Sequence, residues 1–141
     1  MRWLALLATL STALAVGGCA TEIGPSQAEL KAQWEAQNVY PGSYKQDLLA
    51  FLRTYLNDPT QVRAAAVAQP QRKTVGPGER YVVCVRYSAR NSEGRYAGPK
   101  DGAATYVSGK LDRFFDVPSE VRELCKDAAF APFPELEKLK R

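Results

Sequence analysis

The stretch Tyr81-Val82-Val83-Cys84-Val85-Arg86-Tyr87-Ser88 decides how this chain is read. It is rich in β-branched and aromatic residues, which suit a pleated, half-buried surface, and it predicts a strand. Alternation places Tyr81, Val83, Val85 and Tyr87 on one face and Val82, Cys84, Arg86 and Ser88 on the other. Both faces carry apolar side chains, so both need cover. An N-terminal helix is expected over the aromatic face, and the segment that carries Cys125 over the face of Cys84.

Working outward, Asn91-Ser92-Glu93-Gly94 reads as a hairpin loop with glycine placed for positive φ, and Arg95 to Gly98 resumes an extended segment up to Pro99. Asp101-Gly102 reads as a second turn before a strand from Ala103 to Val107. Upstream, Val62 to Ala68 follows a Pro break. It reads as a strand, although an alanine-rich run of that length also suits a helix. Before it, Ser43 to Asn57 is the clearest helix. Ser43 and Gln46 fit a capping box, Leu48, Leu52 and Tyr55 form one stripe, and Asp58-Pro59 ends it. Downstream, Ser119 is placed to cap a short helix from Glu120 to Asp127, with Val121, Leu124 and Cys125 facing inward. The tail from Phe130 to Glu137 holds two prolines and is expected along the domain surface. The expected fold is therefore α+β: an N-terminal helix packed on a small antiparallel sheet of about three strands, with a short C-terminal helix tied by a disulfide.

The other end of the chain carries an address. Arg2 precedes the apolar run Trp3 to Val16, which is shorter than the ~20 residues a spanning helix needs. Small residues follow, as in a secretory signal. The ending Val16-Gly17-Gly18-Cys19 resembles the lipobox of bacterial lipoproteins. That resemblance implies cleavage before Cys19, lipid on its thiol, and acylation of the new amine, which together anchor a protein stably without a span. Ala20 follows the cysteine. With no Asp there, the resemblance implies an outer membrane, with the domain facing the periplasm. The expected organisation is a lipoprotein signal peptide over 1–18, a lipidated Cys19 and tether over 19–42, and one α+β domain over 43–141. Ala28 to Gln37, inside the tether, reads as a weak helix.

Of three cysteines, Cys19 then belongs to lipid, and Cys84 and Cys125 remain as an even pair in an exported, oxidising compartment. A disulfide is the expected reading. The chain has no histidine, so the commonest general base and metal ligand are missing, and no activating base stands ready for a thiol. Carboxylate pairs such as Glu120 with Glu123 have ordinary spacing, and no glycine loop suited to phosphate precedes a helix. The expectation is a non-enzyme without cofactor or metal.

A second resemblance covers Tyr55 to Gly98. The run YLNDP (Tyr55 to Pro59), then YVVCVRYSARNSEGRYAG (Tyr81 to Gly98), is similar to small bacterial secreted proteins and lipoproteins. Their pattern has a helix ending in Asp-Pro, a Val-Cys strand and an Ala-Arg-Asn-Ser-x-Gly-x-Tyr-x-Gly hairpin. It implies the fold and adds no chemistry, and this chain departs from it at Pro99-Lys100-Asp101-Gly102.

Charge supplies the remaining hint. Net charge is +4, yet residues 61–110 hold nine Lys and Arg against Glu79, Glu93 and Asp101. Arg86, Arg90 and Arg95 flank the expected hairpin beside Tyr87 and Tyr96, a candidate surface for an anionic partner. In an exported protein that partner is a lipid phosphate, lipopolysaccharide, peptidoglycan or an envelope protein, with no nucleic acid at hand. The expected function is a membrane-anchored, non-catalytic interaction module of the cell envelope. The alternative is an accessory or inhibitor of an envelope hydrolase that works through the 88–98 loop.

Overall fold

The computed structural model describes residues 24–141, so the expected signal peptide and Cys19 lie outside the described residues. Within them, the order is α1 (Gln27–Ala36), α2 (Tyr44–Tyr55), β1 (Asp58–Val67), β2 (Gln71–Val75), β3 (Gly78–Arg90), β4 (Lys100–Val107), β5 (Lys110–Phe115), α3 (Pro118–Cys125), β6 (Ala131–Pro132) and α4 (Pro134–Glu137). The strands form one six-stranded sheet in the order β5-β4-β3-β1-β6, with β2 also on β3, and every pairing is antiparallel. The three-strand expectation is corrected to six strands, and the helices number four among the described residues.

The deciding stretch is the middle of the sheet. β3 pairs along one edge with β4 from Tyr81 to Tyr87. Along its other edge, β2 covers the first half and β1 the second. β1 and β2 run end to end, broken at Gln69-Pro70, with Ala68 N–H donating to Cys84 O at 2.8 Å across the break. The two faces divide as the alternation requires. Val83, Val85 and Tyr87 pack with Leu48 and Leu52 of α2 and with Phe133 and Leu136 of the C-terminal segment. Val82 and Cys84 pack with Val121 and Cys125 of α3. The Cys84–Cys125 disulfide joins them, with Cα atoms 5.8 Å apart. Val62 to Val67 is strand, as preferred.

Several local expectations fail for identifiable reasons. Asp101-Gly102 is not a turn but lies inside β4, opposite Arg86 and Val85. Arg86 pairs with Asp101 across the strands, and Gly102 leaves the space that the Phe114 ring of β5 fills. Strand pairing and side-chain packing outweigh the turn preference of the dipeptide. Ser43 makes no cap hydrogen bond, because its backbone (φ −98°, ψ 22°) is not the extended form a capping side chain needs. α3 begins at Pro118 after Val117 rather than at a Ser119 cap, since proline's fixed φ suits the first helical turn. The tail does not lie along the surface: Phe133 and Leu136 are fully buried, and β6 pairs with β1. Its prolines sit at a short edge strand and a helix start, where no N–H is missed.

The described part of the expected tether is also built in. Ser26 and Glu29 form a reciprocal capping box that starts α1, and two bonds from Ser26 hold the Glu29 carboxyl below its ordinary pKa. No α1 residue is buried, yet Trp34 is seated on the β2–β3 turn and donates from Nε1 to Glu79 O at 2.6 Å. A Cβ on Gly78 would lie 2.6 Å from that indole, so glycine is what admits it. Past the helix, Ser108 N–H donates to Gln37 O at 2.7 Å.

Candidate functional site

The five residues of the expected basic hairpin do not form one surface. Arg86 projects on the α3 side, grips Asp101 with Nε at 2.6 Å and Nη2 at 2.8 Å, and stacks 4.4 Å from the Phe130 ring centroid. Tyr87 is buried on the opposite face. Burial first, and the Asp116 charge second, push its phenol up to about 12. Arg90 has its Nε 3.6 Å from Asp58 Oδ2, and this buried nitrogen makes no hydrogen bond. Arg95 turns back on Glu93 at the loop tip. Tyr96 folds against β1, donating its hydroxyl to Gln61 O, with Arg63 at 4.1 Å and Arg90 at 5.9 Å from its ring centroid.

β1 makes this arrangement possible by bulging. Gln61 (φ 63°) and Ala64 (φ 50°) adopt left-handed backbone, and the pairing with β3 shifts register between Asp58 and Arg63 and again before Ala66. Such bulges bend a strand and re-aim its groups. The Gln61 carbonyl is thereby presented to Tyr96, and Ala65 N–H to Glu137 Oε1 at 2.9 Å.

Beside the hairpin lies a groove of about 1010 Å³. β4 starts only at Lys100, opposite Tyr87, while β3 continues to Arg90. Residues 97–99 swing out of the sheet, with Gly98 at φ 91°, and leave a recess closed by the end of α2 and the start of α3. Its walls hold Arg86, Tyr87 and Arg90 of the expected set, without Arg95 or Tyr96. They also hold four residues that the sequence did not single out for function: Tyr55, Lys100, Asp116 and Arg122. Tyr55 donates its hydroxyl to Asp116. Burial, that hydrogen bond and the carboxylate charge together raise its pKa well above the ordinary phenol value.

The lining carries two more cations than carboxylates: Arg86, Arg90, Lys100 and Arg122 against Asp101 and Asp116. Arg86 is fully engaged by Asp101 and Arg90 is held near Asp58. Among the described residues, neither Lys100 nor Arg122 has a carboxylate within ion-pair reach. These are the charges the groove offers to an incoming anion. No signal in the sequence marks them: Lys100 falls between Pro99 and the expected Asp101-Gly102 turn, and Arg122 lies off the inward face of the expected short helix.

Among the described residues, no group of three or more side chains of metal-binding type gathers. No described helix is long and apolar enough to cross a membrane. No family model matches the sequence, and neither a curated protein nor a solved structure matches it.

Proposed function

We propose that this chain is an exported lipoprotein, held through Cys19 to a membrane and facing the periplasm from the outer membrane. Its domain is a non-catalytic interaction module whose groove contacts an anionic component of the envelope. The observation that carries the anchor is Val16-Gly17-Gly18-Cys19 at the end of a short apolar run. The Cys84–Cys125 disulfide supports an oxidising compartment and leaves Cys19 as the cysteine the domain does not use. The observation that carries the anionic partner is the excess of cations in the groove, with Lys100 and Arg122 unengaged. A catalytic reading has less support, because the chain has no histidine and its phenols at the groove are raised away from the range of useful bases. The inhibitor reading needs a protruding 88–98 loop, whereas Tyr96 ties that loop back to β1.

The anchor is tested by Cys19→Ser in the native host. The account expects an unprocessed or soluble form and loss of the lipid mass from the intact protein. Unchanged fractionation and mass would remove the anchor.

A further inference from the structure

The sheet leaves one stretch of strand edge open, and it faces the groove. β5 pairs with β4 from Val107↔Lys110 to Ala103↔Phe115 and then departs through Asp116 and Val117 into α3. β4 itself reaches back to Lys100, held on its β3 side opposite Val85, Arg86 and Tyr87. Among the described residues, Lys100, Asp101 and Gly102 therefore have no strand neighbour on their other side. The groove lies in the gap left by the departing chain, with Lys100 and Asp101 on one wall and Asp116, Pro118 and Arg122 on another. The open edge is about 10 Å long at ~3.3 Å per residue and is bounded by Pro99, which has no N–H to pair. The sheet's terminal strands are blunted by other means: the β5 pairing carries a register shift, and β6 has two residues, one of them Pro132.

The two cations that lack a carboxylate partner among the described residues stand on opposite sides of this edge. Residues directly opposite in an antiparallel ladder share a face. Lys100 is opposite Tyr87, which belongs to the α2-side core, and so projects on that side. Arg122 comes from α3, which packs on the face of Val82 and Cys84. The sheet edge lies between them. A compact anion seated on one face meets one of these charges. An extended backbone laid along the edge sends successive side chains to opposite faces, so two adjacent acidic residues meet both. The groove's own carboxylates are used elsewhere: Asp101 is gripped by Arg86, and Asp116 accepts from Tyr55.

We propose that the open edge of β4 takes an extended acidic peptide segment of an envelope protein. The segment pairs through its backbone with Lys100–Gly102 and holds adjacent carboxylates against Lys100 on one face and Arg122 on the other. This rests on the anionic-partner reading above and names the partner's chemistry. In strand addition, backbone hydrogen bonds supply affinity and alternate side chains supply specificity. The ionic contacts are exposed, hence individually weak and screened by salt.

The test uses the full-length lipidated protein in neutral-lipid nanodiscs. The probe is a capped, fluorescein-labelled peptide, Thr-Val-Asp-Glu-Val-Thr. It is compared with the same peptide N-methylated throughout, with a peptide whose two acids are separated by one valine, with inorganic phosphate and with phosphatidylglycerol vesicles. The parent peptide should bind at low salt by fluorescence anisotropy, bind less at moderate salt, and slow amide exchange within residues 100–102. N-methylation should abolish binding. Lys100→Ala, Arg122→Ala and the separated acids should each weaken it about threefold, the range of one exposed ionic contact. Each variant must retain the Cys84–Cys125 disulfide by peptide mapping. Parent-like binding of the N-methylated peptide, or unchanged exchange at residues 100–102, would overturn the strand pairing. Parent-like binding by both variants would overturn the assigned cations. Phosphate or vesicles held through Lys100 and Arg122, without the peptide, would overturn the peptide proposal and keep the anionic-partner reading. Binding to none of these anions would overturn both.

Discussion

The Arg80 guanidinium lies 3.5 Å from the centroid of the Trp34 ring and donates from Nη1 to the Trp34 carbonyl at 2.6 Å. Arg80 is only 4% exposed, and burial lowers its pKa. This residue pair fastens α1, a helix with no buried residue of its own, to the β2–β3 turn. Gln37 Oε1 accepts from the same guanidinium at 3.0 Å, and Arg72 bridges Glu35 and Glu79 at the surface.

Replacing Trp34 with Ala should release α1 while leaving the sheet folded. The lost stacking and hydrogen bond are worth about 2 kcal/mol at a partly desolvated site. Hydrogen exchange should show deprotection of residues 27–38 with little change in β3 and β4. Exchange unchanged in α1 would mean that other contacts hold it.

The disulfide should matter to the sheet and to the groove together. Cys84 and Cys125 are 41 residues apart in sequence, so the chain-entropy model assigns the bridge about 4 kcal/mol. α3, which it ties down, carries Val121 and Arg122 of the groove wall. Cys84→Ala/Cys125→Ala should lower the urea midpoint strongly and weaken binding of an anionic partner in the groove as well. A midpoint matching that of the parent would show that packing alone fixes α3.

Phe133 gives a test of the C-terminal segment. It is fully buried in the α2-side core, and its N–H donates to Ala65 O at 2.8 Å. Phe133→Ala should cost about 3–5 kcal/mol in urea unfolding, as for other buried aromatics. Phe130→Ala, a half-exposed neighbour three residues away, should cost clearly less. Similar costs at the two positions would contradict the packing described for the tail.

Alkaline pH probes Tyr87. Its folded pKa is pushed up to about 12, above the ordinary unfolded value near 10. A raised pKa means that the unfolded chain gives up its proton first. The stabilisation is therefore complete below pH ~10 and is lost as pH rises towards about 12. Tyr55 and Tyr106 are shifted in the same direction, mainly by burial. Ultraviolet titration should show late-titrating phenols in the folded protein and normal ones in denaturant, with unfolding stability falling over that interval. Tyr87→Phe should remove part of the fall. Stability flat from pH 9 to 12 would contradict the burial of these hydroxyls.

The legible parts of the fold were those where one periodic pattern met little competition. Leu48 and Leu52 mark the buried stripe of α2, and the alternation in β3 assigns Cys84 to the face that meets α3. Strand number was not legible, because β2 is a polar hairpin partner with no fully buried position and β6 has two residues. Asp101-Gly102 misleads because its turn propensity is local, whereas Arg86 and Phe114, which hold it extended, come from other strands. Ser26-Gln27-Ala28-Glu29 carries a capping box as plain as any in the chain, and weak apolar periodicity after it left Ala28 to Gln37 readable only as a weak helix inside a tether. In the groove, Arg86, Tyr87 and Arg90 lay within the expected cluster. Lys100 and Arg122 join them only through β4 pairing and the disulfide-held α3, which no spacing in the sequence encodes.

The central claim is that this groove touches an anionic envelope component in the cell. A photoreactive residue at Ala97, an exposed position on the groove wall, tests it most directly in intact envelopes of the native host. The account predicts adducts with an anionic envelope component, depleted by Lys100→Ala/Arg122→Ala and absent from a probe placed at Ala50 on the outer side of α2. No adduct from position 97, or adducts equally abundant in the double variant, would contradict it.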